Sequence, residues 1–176
     1  MKTRTQTRLK EKRVARVARS CDVDLVSASG EILTWEEVNR THRIRNGVYQ
    51  RGGRLVSLLT DFGRINSCYP DVATEDGDRI CYVGDGRHGD QRLTRANRAL
   101  LDAIDSGHAV PLFNKLAVGR WQLTGFWRVT EAAHRFDEKE NRMLWRFTLV
   151  RVSEDDGAVA CHASKGGRPD LVVKPL

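Results

Sequence analysis

Apolar residues along this chain come in short alternating runs, separated by turns rich in glycine, aspartate and arginine. Long helical stripes are rare. Period-two alternation is clearest over Leu144–Val152, where Leu144, Arg146, Thr148 and Val150 stand against Trp145, Phe147, Leu149 and Arg151, and it predicts a long strand. Shorter runs predict strands over Arg54–Leu59, Arg79–Val83, Ala109–Phe113 and Trp121–Thr130, with a first strand or its approach at Val23, Leu25 and Val26. Arg135–Arg142 reads as a charged hairpin connection. Helical spacing occurs twice. Thr34-Trp35-Glu36-Glu37 fits a capping box and opens a short helix to about Arg43, burying Trp35 and Val38. Leu93, Ala96, Leu100 and Ile104 recur at helical spacing behind Asp90, a natural N-cap residue. Asn46-Gly47 and Gly52-Gly53 bracket Val48–Arg51, which reads as an exposed turn, and Asp61–Asp78 reads as a polar loop carrying Phe62, Ile65 and Tyr69. Many strands with two helices predict an α+β domain of β-barrel type.

The 176 residues suffice for one domain with a proper core, here 21–163, flanked by an arm (1–20) and a tail (164–176). Charge sharpens that division. The first twenty residues hold eight basic side chains against Glu11, a net of 8 − 1 = +7, so the remainder is neutral with 22 basic and 22 acidic residues. A basic arm beside a neutral body suits phosphate contact, with Lys10, Lys12, Arg13, Arg16 and Arg19 as candidates. A solubilising tail and an Arg-rich presequence remain alternative readings of the same composition. No apolar run approaches the roughly 18 residues of a membrane helix, and the N-terminus has no secretory apolar segment, so the expected location is the cytoplasm, in association with the nucleoid. Cys21, Cys68, Cys81 and Cys161 form no C-x-x-C pair and have no zinc-type histidine spacing, which predicts reduced thiols and no metal or other cofactor.

The densest pattern is Tyr82-Val83-Gly84-Asp85-Gly86, a short loop through Arg87, His88 and Gly89, then Asp90-Gln91-Arg92-Leu93 and Asn97-Arg98-Ala99-Leu100. This order, Y-x-G-x-G, D-Q-x-L, N-x-A-L, resembles the signature of the SRA (SET- and RING-associated, YDG) domain family, in a stand-alone bacterial form. The likeness extends from about Gly30 to Arg151. Cys68-Tyr69-Pro70-Asp71 stands where the family has a tyrosine and acidic cluster, and Met143–Arg151 matches its closing strand. The family's Y-D-G-x-Y-x-V motif is degraded here to Leu123–Val129, keeping a glycine, an aromatic and the valine.

The resemblance implies a twisted SRA/PUA-like β-barrel flanked by helices, and a non-enzymatic reader of modified cytosine in double-stranded DNA. A base flipped from the duplex needs aromatic faces and an acceptor for its exocyclic amine. By the family match Tyr69 and Tyr82 supply the faces and Asp71 the acceptor, while the backbone at Val83 and Gly84 lies against the base edge. Arg87 and His88 are the candidates for entering the duplex, and Gln50 and Arg51 for approaching from the opposite groove. The loop is short, which argues against strict CpG reading. Stacking returns on the order of 1–3 kcal/mol against a few kcal/mol of unpairing. A buried methyl adds about 0.8 kcal/mol, roughly a fourfold preference. The preference for 5-methylcytosine is therefore expected to be modest. A PUA-type RNA-binding module, a targeting subunit for a modification-dependent nuclease, and an interaction protein with a vestigial pocket are the competing readings. The chain itself shows no H-N-H pattern and no acidic pair followed by E-x-K.

Overall fold

A computed structural model of the chain describes residues 30–152. The arm with its five candidate cations, the strand expected around Val23–Val26, Cys21, Cys161 and the tail all lie outside the described residues, as do the outer domain bounds. In chain order the elements are β1 (Ile32–Leu33), α1 (Trp35–Thr41), β2 (Val48–Arg51), β3 (Arg54–Thr60), β4 (Val72–Ala73), β5 (Arg79–Val83), α2 (Arg95–Ser106), β6 (Ala109–Ala117), β7 (Arg120–Asp137) and β8 (Arg142–Val152).

All strands join one eight-stranded sheet in the order β2-β3-β6-β7-β8-β5-β4, with β1 added to β7. Every pairing is antiparallel except β3 with β6. Among the described residues the ladder does not close, so they form the expected sheet without the closure of a barrel. Tyr82 on β5 donates its hydroxyl to the Leu59 carbonyl on β3 (3.0 Å), and Thr60 on β3 donates to Asp71 (2.6 Å). Side chains thus bridge a seam between two strands that are not ladder neighbours.

Two apolar clusters cover opposite faces of the sheet. Leu58, Leu100, Leu112, Trp127, Val129, Phe147 and Leu149 belong to the larger, packed under α2; Leu33, Val38, Leu59, Phe113, Trp121 and Leu123 form the smaller, against α1 and Trp35. Adjacent residues on β3 (Leu58, Leu59) and on β6 (Leu112, Phe113) enter different clusters because strand side chains alternate faces. On β7 the odd residues Trp121 and Leu123 serve the small cluster, yet Trp127 and Val129 serve the large one. A bulge explains the switch. Pro111 pairs with Phe126 and Phe113 with Leu123, so β7 carries one extra residue around Gly125 (φ +111), and an extra residue exchanges the two faces.

Local signals set the helix ends. Thr34 and Glu37 make the full capping box on α1, with the Thr34 N–H 2.7 Å from Glu37 Oε2. Thr34→Ala is expected to lower stability by about 1 kcal/mol in a urea titration, as loss of an N-cap does. The N-cap of α2 is Thr94, not Asp90: its hydroxyl accepts from the Asn97 N–H, and Gly107 ends the helix at φ +60. Asp90 instead accepts from the Met143 N–H (2.7 Å). Ala96, Leu100 and Ile104 pack in the core as the spacing predicts, whereas Leu93 lies outside the helix and is exposed. Val48–Arg51, expected as a turn, is a strand with Val48 buried, and Gln50 accepts from the Gly53 N–H to close the hairpin. Strands β7 and β8 extend through the expected charged connection as far as the Asp137–Arg142 pair.

Candidate nucleic-acid interface

A cleft of about 650 Å³ opens at the seam between β3 and β5. Its floor is built from Leu59, Thr60, Tyr82, Val83 and Gly84, and loop residues Tyr69, Asp71, Asp85 and Arg87 form one side. The structure therefore brings together Tyr69, Asp71, Tyr82, Val83, Gly84 and Arg87. It does not bring in His88, exposed beyond Arg87, or Gln50 and Arg51 on the β2–β3 hairpin.

Asp71 is the chemical centre of this cleft. It is 5 % exposed; Oδ1 accepts from the Val83 N–H (2.7 Å) and Oδ2 from the Thr60 hydroxyl (2.6 Å). Burial pushes its carboxyl up to about 7, with the two hydrogen bonds acting in the opposite direction. Each carboxylate oxygen keeps a further lone pair for an amine. Tyr69 is half-buried, and burial followed by the Asp85 charge raises its phenol. Tyr82 is 2 % exposed and belongs to the core, its hydroxyl held by Leu59 and its own pKa driven upward by burial. It contributes a closed floor, and Tyr69 is the more accessible ring. The N–H groups of Val83 and Gly84, expected against the base edge, are already engaged by Asp71 and by the Trp145 carbonyl (2.9 Å). Neither N–H is therefore left over for a base edge.

The D-Q and N-x-A-L motifs brace this site from behind. Gln91, 2 % exposed, donates to the carbonyls of Gly84 (2.6 Å) and Gly86 (3.2 Å) and accepts from the Trp145 N–H (2.8 Å). Asn97, fully buried, accepts from the Asp85 N–H (2.7 Å) and donates to the Asp85 and Arg92 carbonyls. Thr94 donates to Asp85 Oδ2 (3.0 Å). Across the cleft, His42 carries the Asn46-Gly47 segment. One ring nitrogen lies 2.7 Å from the Asn46 carbonyl and the other 2.9 Å from the Ser57 hydroxyl, which fixes Nε2 as the donor and Nδ1 as the acceptor in the neutral ring. Burial lowers its pKa to about 4.

Asp71 and His42 act on stability with opposite signs over the same pH range. The Asp71 carboxyl is raised on folding, so its stabilisation is complete below about 4 and is lost as pH rises through about 7. The His42 ring is lowered, so its stabilisation is present above about 6.5 and is lost as pH falls through about 4. Between these limits the two slopes oppose each other. Asp71→Asn removes the first and leaves the second. Chemical denaturation at a series of pH values is expected to show the variant gaining stability relative to wild type as pH rises from 4 to 7. A constant difference between the two proteins across that range would contradict this.

Several lining residues carry no signal in the linear pattern. Trp35 and Trp121 meet at 5.4 Å between ring centroids, Arg45 lies 4.0 Å over the Trp35 ring, and Lys115 lies 5.7 Å from the Trp121 ring. These four line the cleft, together with Asn46. Trp35 was legible only as a buried helix residue, and the others stand on strands or turns that converge in space. Arg142 was likewise not foreseen. It is 7 % exposed and donates to the carbonyls of Gly86, Gly89 and Cys68, joining both loops of the site. Cys68 and Cys81 are free thiols, and among the described residues no cluster of His, Cys, Asp and Glu could hold a metal ion. No described helix is long and apolar enough to cross a membrane.

Residues 43–156 match the model of the ScoMcrA-like SRA domain family. Among solved structures, a SUVH5 SRA domain in complex with hemimethylated CG DNA is similar at 22 % identity and a TM-score of 0.60, covering 81 % of this chain and 91 % of that one. A SUVH5 SRA domain bound to fully hydroxymethylated CG DNA is similar at 23 % identity and a TM-score of 0.60, over 85 % and 95 % of the two chains. The modification-dependent TagI restriction endonuclease is similar at 18 % identity and a TM-score of 0.59, over 74 % of this chain and 51 % of that one. No curated protein matches the sequence. At these identities the structural likeness speaks for the fold.

Proposed function

Since this chain belongs to the SRA domain family, we propose that it is a non-enzymatic reader of modified cytosine in double-stranded DNA, taking the base out of the duplex into the β3–β5 cleft. The observation that carries this reading is the convergence of Tyr69 and Asp71, from one loop, with Tyr82, from β5, on one cleft. Asp71 accepts from the cytosine amine, Tyr69 stacks on the base, and Tyr82 closes the floor. Arg87, exposed on the cleft rim, reaches toward the DNA. Stacking of about 1–3 kcal/mol per base offsets much of the unpairing cost, so affinity for unmodified duplex comes largely from phosphate contacts and is salt-sensitive.

Among solved SRA-like structures, SUVH5 domains are in complex with methylated and hydroxymethylated DNA. The likeness to TagI supports a second reading, in which this reader directs a partner nuclease. The test is an anisotropy titration at one salt concentration with three probes: a duplex carrying one 5-methylcytosine, its unmodified twin, and RNA of the same sequence. The expected order is methylated above unmodified by about fourfold, with RNA weakest. Equal affinity for the two duplexes together with tighter RNA binding would overturn the proposal.

A further inference from the structure

The cleft is larger than a base requires. Its 650 Å³ equals roughly twenty waters at about 30 Å³ each, of which a pyrimidine ring displaces only a fraction. Its lining carries charges of both signs. Near Asp71 the acidic groups are engaged: Asp61 accepts from the Gly63 and Asn66 N–H groups, and Asp85 from Thr94. The lining cations besides Arg87 are Arg45, over Trp35, and Lys115, near Trp121. Both indoles already have cations against them, so these residues offer positive charge, not free rings for stacking. Among the described residues the Arg146–Asp137 ion pair involves neither Arg45 nor Lys115, and neither is seen paired with a carboxylate there. Arg64 also bonds Asn114 (2.8 Å) and the Lys115 carbonyl (3.3 Å), fixing the backbone that presents Lys115. Gly47 also lines the cleft, and a Cβ there would come within 2.8 Å of the Tyr82 hydroxyl.

We propose that Arg45 and Lys115, each placed against a tryptophan, form a phosphate-binding site inside the cleft. It takes a phosphate flanking the extruded nucleotide, so the cleft receives a nucleotide and not a base alone. This inference rests on the modified-cytosine reading. Cation–π contact pre-positions the two charges, reducing the ordering cost when the anion arrives, and an Arg or Lys on a phosphate oxygen makes a charge-assisted hydrogen bond.

The test crosses a protein change with a change in the DNA. Duplexes with one 5-methylcytosine are made with an uncharged methylphosphonate at the phosphate either 5′ or 3′ of that nucleotide. Wild type is expected to bind one of these about tenfold more weakly than the all-phosphate duplex. Arg45→Gln/Lys115→Gln should bind the all-phosphate duplex about tenfold more weakly and lose less than a further twofold on methylphosphonate substitution, with Arg45→Lys/Lys115→Arg recovering most of the affinity. Equal methylphosphonate losses in wild type and the Gln variant, or unchanged affinity of that variant, would overturn the proposal. Tyr69→Ala separates the two ideas. If it abolishes the methyl preference while the phosphate effects stay additive, only the phosphate site fails. If it leaves the preference intact, the modified-cytosine reading fails. Thermal melting of each variant checks that the fold is retained.

Discussion

Replacing Gly84 by alanine is expected to destabilise the protein by about 1–3 kcal/mol, the range for atoms forced into a filled core. A Cβ at this position would lie 2.6 Å from Asn97 Oδ1, 2.8 Å from Trp145 Cβ and 3.2 Å from Phe147 Cε2. None of these can withdraw freely. Trp145 Cβ is fixed by the β8 backbone. Asn97 is buried and holds Asp85 from both sides, while Phe147 lies in the main core. The response should exceed that of Gly47→Ala, where the closest atom is the far end of Tyr82. At Gly47 the hydroxyl can move, at the cost of its bond to Leu59. Thermal melting checks both, at about 2–4 °C per kcal/mol for a chain of this size. An unchanged melting temperature for Gly84→Ala would contradict the packing described here.

The second large effect is expected at Arg142. Arg142→Met keeps the volume and removes three charge-assisted bonds, to the carbonyls of Gly86 (2.9 Å), Gly89 (3.2 Å) and Cys68 (2.9 Å). Hydrogen bonds to charged groups contribute about 1.5–3 kcal/mol each, and they are not additive when one side chain makes all three. A loss of about 3 kcal/mol is expected, concentrated in the loops around Cys68 and Gly86. Those loops carry Tyr69 and Arg87, so binding of methylated DNA should weaken even where most of the domain stays folded. Hydrogen exchange supplies the check: amides of residues 66–70 and 84–90 should lose protection more than those of β7 or α2. Uniform loss of protection would assign Arg142 to the global fold and not to the loops.

Much of this was legible in the sequence because local chemistry decided it. The Thr34–Glu37 box, the β5 strand and the apolar face of α2 follow from spacing alone. The D-Q and N-x-A-L residues stood out as a pattern, but their task did not: Gln91 and Asn97 shape the loop that forms one side of the cleft. Illegible features arose from tertiary geometry. Strict alternation cannot reveal the bulge that moves Trp121 and Trp127 to opposite faces of β7. Thr94 took the cap from Asp90 because Asp90 is drawn to the β8 backbone, an interaction across 53 residues. The seam, closed by Tyr82 and Asp71 through single hydrogen bonds, produces a cleft where a continuous ladder would leave none. Arg45, in the α1–β2 connection, and Lys115, on β6, are distant in sequence yet both line the cleft.

In the proposed reading, selectivity for modified cytosine resides in Tyr69 and Asp71 of the cleft. It is tested most directly by repeating the matched-duplex titration with Tyr69→Ala and Asp71→Asn at fixed salt. Tyr69 is half-buried and Asp71→Asn preserves shape, so both variants should fold. The roughly fourfold preference for 5-methylcytosine is expected to disappear in Tyr69→Ala and to fall in Asp71→Asn, while affinity for unmodified duplex is retained. A methyl preference that survives both substitutions would place recognition elsewhere on the molecule.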